Sequence, residues 1–208
     1  MKQKIDINGW NRKEHFEFFS ALDDPFFGIT TNVDFTKIYL QSKEQHKPFF
    51  LYSVHFLLKC INECEAFKLR IEGSDVIKFD RIHVSPTIGK DDGTFGFGFF
   101  EYMPDLDSFI INAEKEINRV KNSSGLAFSP ETGRIDLIRY SALPWFAFSE
   151  MKHATSFGND GGVPRISTGK LTKNGERYML PISICAHHGL MDGRNVAELL
   201  EIIEEMKR

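Results

Sequence analysis

Near the C-terminus the apolar stretch Met179-Leu180-Pro181-Ile182-Ser183-Ile184-Cys185-Ala186 runs directly into His187-His188-Gly189-Leu190-Met191-Asp192-Gly193, followed by Arg194 to Met206. The first segment reads as a strand and the last as an amphipathic helix. A tandem histidine at a strand end, just ahead of an Asp-Gly turn, sets a titratable imidazole where a buried base can work. Strand periodicity puts Ile182, Ile184, Ala186 and His188 on one face and Ser183, Cys185 and His187 on the other. The two histidines therefore point in opposite directions, and only one is expected to be the working group. Asp192 has two readings. It caps the following helix, or, if the helix begins at the competing cap Asn195, it is free to pair with a cation or orient a catalytic group.

A chain of 208 residues is expected to form one domain, spanning 1–208, with length enough for a core. Its net charge of -3 argues against nucleic acid as an electrostatic partner. Twenty phenylalanines must largely fill the core, and so many rings can also line a slot for a flat ligand. The three cysteines, Cys60, Cys64 and Cys185, lack the spacing of a metal or redox pair, which suggests reduced thiols. No hydrophobic leader opens the chain and no run reaches membrane-spanning length, so a cytoplasmic protein is expected.

The coarse pattern is mixed. Asn11-Arg12-Lys13-Glu14 resembles a helix N-cap with a nearby acid, opening a short helix to about Leu22. A strand over Phe26 to Phe35, a helix over Thr36 to Lys43 and a long apolar helix from Pro48 to about Glu63 follow. Strands are expected at Lys68–Ile71, Val76–Phe79, His83–Ile88 and Thr94–Tyr102. Asp105 caps a helix to about Lys121 with Phe109, Ile110, Ala113 and Ile117 inside. Ile135–Tyr140 and Trp145–Phe148 are strand-like, and Pro164–Thr172 and Arg177–Ala186 bracket an Asn-Gly hairpin turn at Asn174-Gly175. The combination predicts an α+β fold, a mixed α/β sandwich in which helices pack on a large mixed β-sheet.

Other polar clusters read as loops. Lys90-Asp91-Asp92-Gly93 is a hairpin turn rather than a calcium loop, and Gly158-Asn159-Asp160-Gly161-Gly162 is a flexible loop outside any phosphate-cradle context. A metal site using either histidine and Asp192 lacks a third ligand at readable spacing, so no metal is expected.

With these residues laid out, the chain resembles the trimeric chloramphenicol acetyltransferases, which share a His-His-x-x-x-Asp-Gly motif with the catalytic domains of dihydrolipoamide acyltransferases. The likeness includes Trp10-Asn11-Arg12-Lys13-Glu14-His15-Phe16-Glu17-Phe18, Ser141-Ala142-Leu143-Pro144-Trp145, Pro164 and Lys170, and the C-terminal motif itself. The resemblance implies an acetyl-CoA-dependent O-acetyltransferase, most simply a chloramphenicol O-acetyltransferase conferring antibiotic resistance. Acetyl-CoA serves as co-substrate, and no cofactor is tightly bound. The implied general base is His188, with His187 structural; Ser141 stabilises the oxyanion, and Asp192 pairs with Arg12 to organise the site. Breaking such a pair, if buried, costs roughly 3–5 kcal/mol. Lys47 and Lys170 are placed near the CoA phosphate, and the assembly is a homotrimer with interfacial active sites.

The same resemblance puts Phe18, Phe27, Phe95 and Phe128 around the acceptor, with Ser167 at a pocket-threonine position and Phe19 in place of a tyrosine. Asp23, Pro25, Met151, His153, Thr155 and Arg165 stand where apolar or aromatic residues are usual. Charges buried against an apolar antibiotic are costly. Two alternatives follow: the same acyl transfer to a more polar alcohol, or a non-catalytic ligand-binding member of the family. The acyltransferase core of a dehydrogenase complex fits less well, since the chain opens directly on the catalytic unit.

Overall fold

The computed structural model describes residues 1–154 and 160–207. A mixed sheet forms the frame. Its strands are β2 (Phe26–Asp34), β5 (His83–Gly89), β6 (Phe95–Phe97), β7 (Leu137–Ala142), β8 (Arg165–Thr168), β9 (Thr172–Asn174) and β10 (Arg177–His187), in the order β2-β10-β8-β7-β5-β6 with β9 also on β10. β7 runs parallel to β5 and β8, and the remaining pairings are antiparallel. A second sheet joins β1 (Lys2–Lys4), β4 (Asp75–Phe79) and β3 (Leu69–Glu72). The helices are α1 (Lys13–Ser20), α2 (Thr36–Glu44), α3 (Phe49–Glu63), α4 (Leu106–Lys121) and α5 (Gly193–Met206). The α+β expectation is met.

Strand β10 is the spine of the large sheet because its alternation serves two layers. Leu180, Ile182, Ile184 and Ala186 enter the main core, where Leu51, Val54 and Leu58 of α3, Phe109 and Ala113 of α4, and Val196, Leu199 and Ile203 of α5 meet them. The stripe on α5 recurs at three- and four-residue intervals, the spacing of one helical face. Ser183, Cys185 and His187 turn to the opposite face, which carries the segment Ser149–His153 across it. A satellite core of Phe16, Leu69, Val76 and Leu190 lies under the small sheet.

Several local expectations need correction. Helix α1 starts at Lys13, and Arg12 at its N-cap makes no side-chain cap, so Asn11 does not cap it. Trp145–Phe148 is not a strand: β7 ends at Ala142, Pro144 offers no N–H, and Trp145 and Phe146 are exposed. The predicted strand over Thr94–Tyr102 shortens to Phe95–Phe97, because the Gly98 amide turns back to the Pro86 carbonyl and only a single bridge, Val84 to Phe100, follows. The run Pro164–Thr172 divides into β8 and β9 around Gly169-Lys170-Leu171. Gly158 and Asn159 lie outside the described residues, but Asp160-Gly161-Gly162 is a buried, tight turn rather than a flexible loop. Gly161 and Gly162 both have positive φ, and a Cβ on either would stand within 3 Å of Ile135 or Leu190 side-chain atoms. The hairpin turns at Lys90–Gly93 and Asn174-Gly175 form as expected.

Candidate active site

His188 directly follows β10, and its backbone is fixed from two sides. Its amide donates to the Pro25 carbonyl at 2.8 Å, and its carbonyl accepts from Arg12 Nη2 at 3.1 Å. Its ring lies nearly parallel to that of Phe19, with centroids 4.0 Å apart and an interplanar angle of 11°, and Phe27 packs at 4.7 Å. Among the described residues Nδ1 is buried with no hydrogen-bond partner, which leaves Nε2 as the candidate nitrogen for an incoming proton. Phe19 thus seats the imidazole, and its face favours any positive charge that develops there. Phe18 stands edge-on to Phe19 and is exposed.

His187 takes the other direction, as strand alternation requires. It is buried, its Nδ1 accepts the Gly189 amide, and it stands edge-on to Phe26. Burial pushes its pKa down to about 4, so it is neutral near pH 7.

Asp192 fills both roles that were open from sequence. It is the N-cap of α5, with Oδ1 accepting the Arg194 amide at 2.9 Å and Asn195 Oδ1 accepting the Asp192 amide at 3.0 Å. Its Oδ2 accepts from Arg12 Nη1 at 2.6 Å. Helix α5 therefore begins before Asn195, and one carboxylate holds the helix start and Arg12 together, while Arg12 holds the His188 carbonyl. Capping and ion pairing are compatible because they use different oxygens. The pair is 18% and 34% exposed, so removing Arg12 is expected to cost about 1–3 kcal/mol rather than the fully buried figure.

The Arg12 guanidinium, and then the amides of α5, hold the Asp192 carboxyl below its ordinary pKa. A depressed carboxyl contributes stability that is fully present above its unfolded-state pKa and lost as pH falls through the folded-state value. Asp192→Asn is therefore expected to melt below the wild type near neutral pH, with the gap closing in strong acid. Melting temperatures measured from about pH 7 to about pH 2.5 check this. A gap independent of pH would remove the electrostatic explanation.

Ser141 lies elsewhere. It is on β7, on the sheet face opposite Ile138 and Tyr140, which belong to the main core. Thr87 Oγ1 donates to Ser141 Oγ at 3.2 Å, which leaves the Ser141 hydrogen free to donate. Across the strands Ser141 aligns with Ser167, Ser167 with Ser183, and Ser183 with Thr30. The result is a row of hydroxyls across five strands, and the Oγ atoms of Ser167 and Ser183 are buried without a partner among the described residues. Ser183 and Thr30 were not among the expected site residues; the only sequence signal was the polar phase of β10. His188 is five residues beyond the Ser183 level and two strands from β7, about 16 Å along and about 10 Å across, with the opposite strand phase. One chain does not bring Ser141 and His188 together.

The expected aromatic pocket also divides. Phe19 and Phe27 pack on His188, with Phe18 behind Phe19. Phe95 and Phe128 meet at the other edge of the sheet on Phe97, which Phe128 stacks at 5.3 Å and Phe95 meets edge-on. Lys47 pairs with Asp107 at the start of α4, whereas Lys170 is exposed and its amide donates to the Phe146 carbonyl, so no contact joins the two lysines. Asp23 is exposed, Pro25 supports the His188 amide, and Met151 and His153 line a cavity on the outer face. Arg165 is buried, and Thr155 lies outside the described residues. Cys60, Cys64 and Cys185 are free, with burial raising the first two to about 12 and about 11. Among the described residues no cluster of metal-binding side chains occurs, and no helix is long and apolar enough to cross a membrane.

The family model described as chloramphenicol acetyltransferase matches residues 2–206. The chain is 26% identical over 207 residues to chloramphenicol acetyltransferase 3 of Escherichia coli, covering 98% of this chain and 95% of that one. A chloramphenicol acetyltransferase of Campylobacter coli is 28% identical over 205 residues, covering 98% and 97%. A solved chloramphenicol acetyltransferase superposes with a TM-score of 0.89 at 28% identity, covering both chains completely. The dihydrolipoamide acetyltransferase of Azotobacter vinelandii, at a TM-score of 0.64 and 14% identity over 93% of this chain and 85% of that one, shares the fold. With a match along nearly the whole sequence and a superposition along all of it, the chain belongs to the chloramphenicol acetyltransferase family.

Proposed function

We propose that the protein is an acetyl-CoA-dependent O-acetyltransferase that accepts chloramphenicol, with residues 1–208 acting as one catalytic domain in a cytoplasmic homotrimer. The observation that carries this reading is the seating of His188, stacked on Phe19 and tied through Arg12 to Asp192 with Nε2 left open. In the reaction the acceptor hydroxyl oxygen attacks the thioester carbonyl as His188 takes its proton. The tetrahedral oxyanion accepts the Ser141 hydroxyl hydrogen. Collapse breaks the carbon–sulfur bond, and the CoA thiolate leaves with the proton returned by the imidazolium. Acetyl-CoA is a co-substrate here, and the chemistry calls for no resident cofactor or metal.

The separation of Ser141 from His188 supports a site shared by two chains, His188 from one copy facing the hydroxyl row of the next. A closed ring of three copies supplies three equivalent sites. Lys47 and Lys170 are read as CoA-phosphate contacts from neighbouring elements, and Phe18, Phe27, Phe95, Phe128 and Ser167 as acceptor contacts gathered across the interface.

The test is thiol release from acetyl-CoA with chloramphenicol, using His188→Ala and Ser141→Ala alone and refolded together. Each variant alone is expected to be nearly inactive, and mixed assemblies are expected to recover about one quarter of the wild-type rate, the share of interfaces pairing an intact His188 with an intact Ser141. No recovery in mixtures of confirmed mixed composition would refute the shared site. No chloramphenicol-dependent release by the wild type would refute the named acceptor.

A further inference from the structure

On the outer sheet face, two residues along from the hydroxyl row, Arg165 of β8 stands between Cys185 of β10 and Arg139 of β7, in register with both. Its guanidinium packs over the Phe26 ring at 4.5 Å and pairs through Nη2 with Asp160. Arg165 is only 6% exposed, yet among the described residues its Nη1 has no hydrogen-bond partner. Beside it are the orphaned hydroxyls of Ser167 and Ser183, themselves almost fully buried. His153 Nε2 is likewise buried without a partner, and His153, Phe26 and Cys185 all line a cavity of about 450 Å³. Leaving a buried donor or acceptor unmet costs about 1–3 kcal/mol each, more for a charged group, so several at one place mark a surface built to receive polar atoms.

The charge balance says which atoms. Two guanidinium groups directly opposite on adjacent strands repel. Asp160 is the carboxylate that both Arg139 and Arg165 feel, and Arg70 feels it as well, together with Asp136. One anion thus serves several cationic groups. Rim charges on Asp24, Glu150 and Lys152 are exposed and screened by solvent, whereas the inner charges are not.

We infer that this cavity selects acceptor alcohols carrying a carboxylate, which passes the lining residues Phe26, Thr30 and Cys185 to reach Arg165 Nη1 packed directly behind them, while Ser167 and Ser183 in the same inner layer hydrogen-bond the neighbouring polar atoms. The inference rests on reading this face as the acceptor side of an acetyltransferase. It makes Arg165 a specificity determinant, distinct from the base and from the oxyanion donor. A planar guanidinium suits carboxylate recognition, and Lys supplies only a point charge.

The experiment uses matched alcohols, each as free carboxylate and as methyl ester: N-acetylserine, and the chloramphenicol analogue in which a carboxylate replaces the nitro group. The ratio of kcat/KM for carboxylate over ester is expected to be at least about tenfold in the wild type and to fall about tenfold in Arg165→Gln, with Arg165→Lys retaining part of it. Because Arg165→Gln strands Asp160, the double variant Arg165→Gln/Asp160→Asn repeats the measurement with the pair neutralised. A wild-type ratio at or below one overturns the proposal. So does an unchanged ratio with a raised KM for acetyl-CoA, which would assign the guanidinium to a co-substrate phosphate. If the wild type consumes no acceptor, the acetyltransferase reading fails separately. Calorimetry of the same ligand pairs then decides the site: tighter carboxylate binding lost in Arg165→Gln supports it, and equal binding overturns it.

Discussion

His188→Gln is expected to lower kcat by about 10²–10⁴-fold, while Arg12→Lys, which acts only through the His188 backbone carbonyl, is expected to lower it far less. The glutamine amide fills much of the ring's space between Phe19 and Phe27 but cannot take a proton near neutral pH. Stopped assays of thiol release with saturating acetyl-CoA read kcat, and circular dichroism confirms that the fold is kept. The KM of the acceptor is expected to move little, since the lost interaction belongs to the transition state. A His188→Gln enzyme within tenfold of the wild type would remove His188 from the role of base. Replacing His187 by Gln instead should act mainly on stability, because that ring is buried, neutral and occupied by the Gly189 amide.

The second large effect is on folding. Arg70 is fully buried, and instead of a carboxylate partner it donates to four backbone carbonyls. These belong to Ile135 at 2.6 Å, Phe67 at 2.9 Å, Leu69 at 2.6 Å and Leu137 at 2.7 Å. The side chain therefore ties the small sheet to the entry of β7, the strand that carries Ser141. Burial lowers its pKa to about 9, with Asp136 and Asp160 opposing that shift. Arg70→Met keeps the apolar volume but leaves these carbonyls without a donor in a dry interior. The expected loss is about 3–5 kcal/mol. For a chain of this size that lowers the melting temperature by roughly 6–20 °C. Arg70→Lys, with fewer donors and a different shape, should fall between. Thermal unfolding followed by circular dichroism measures both, and a Met variant melting within about 2 °C of the wild type would contradict this account.

Arg70 also shows where sequence reading stops. Nothing in Leu69-Arg70-Ile71 distinguishes a guanidinium wired to distant carbonyls from a charge on a strand's solvent face. Its partners come from residues 67–69 and 135–137, which only the packing of two sheets brings together. Trp145–Phe148 failed for a related reason: β-forming residues do not make a strand without a neighbour to pair with. By contrast, the helices from Thr36, Pro48 and Asp105 were legible because their apolar periodicity is local, and the last adds a local cap at Asp105. Asp192 was half legible. Its cap is local, whereas its bond to Arg12 spans 180 residues and rested on resemblance.

By itself the sequence determined most of the elements, the opposite directions of His187 and His188, and the chemistry that a strand-end histidine offers. These follow from short-range periodicity, which dihedral sterics impose wherever the chain goes. Only the tertiary structure decided that Ser141 and His188 lie on opposite sheet faces, that Asp192 caps and pairs at once, and that Arg165 stands beside the buried row of Ser167 and Ser183. Strand order and register set those relations, and they are fixed by cooperative packing of segments far apart in the chain.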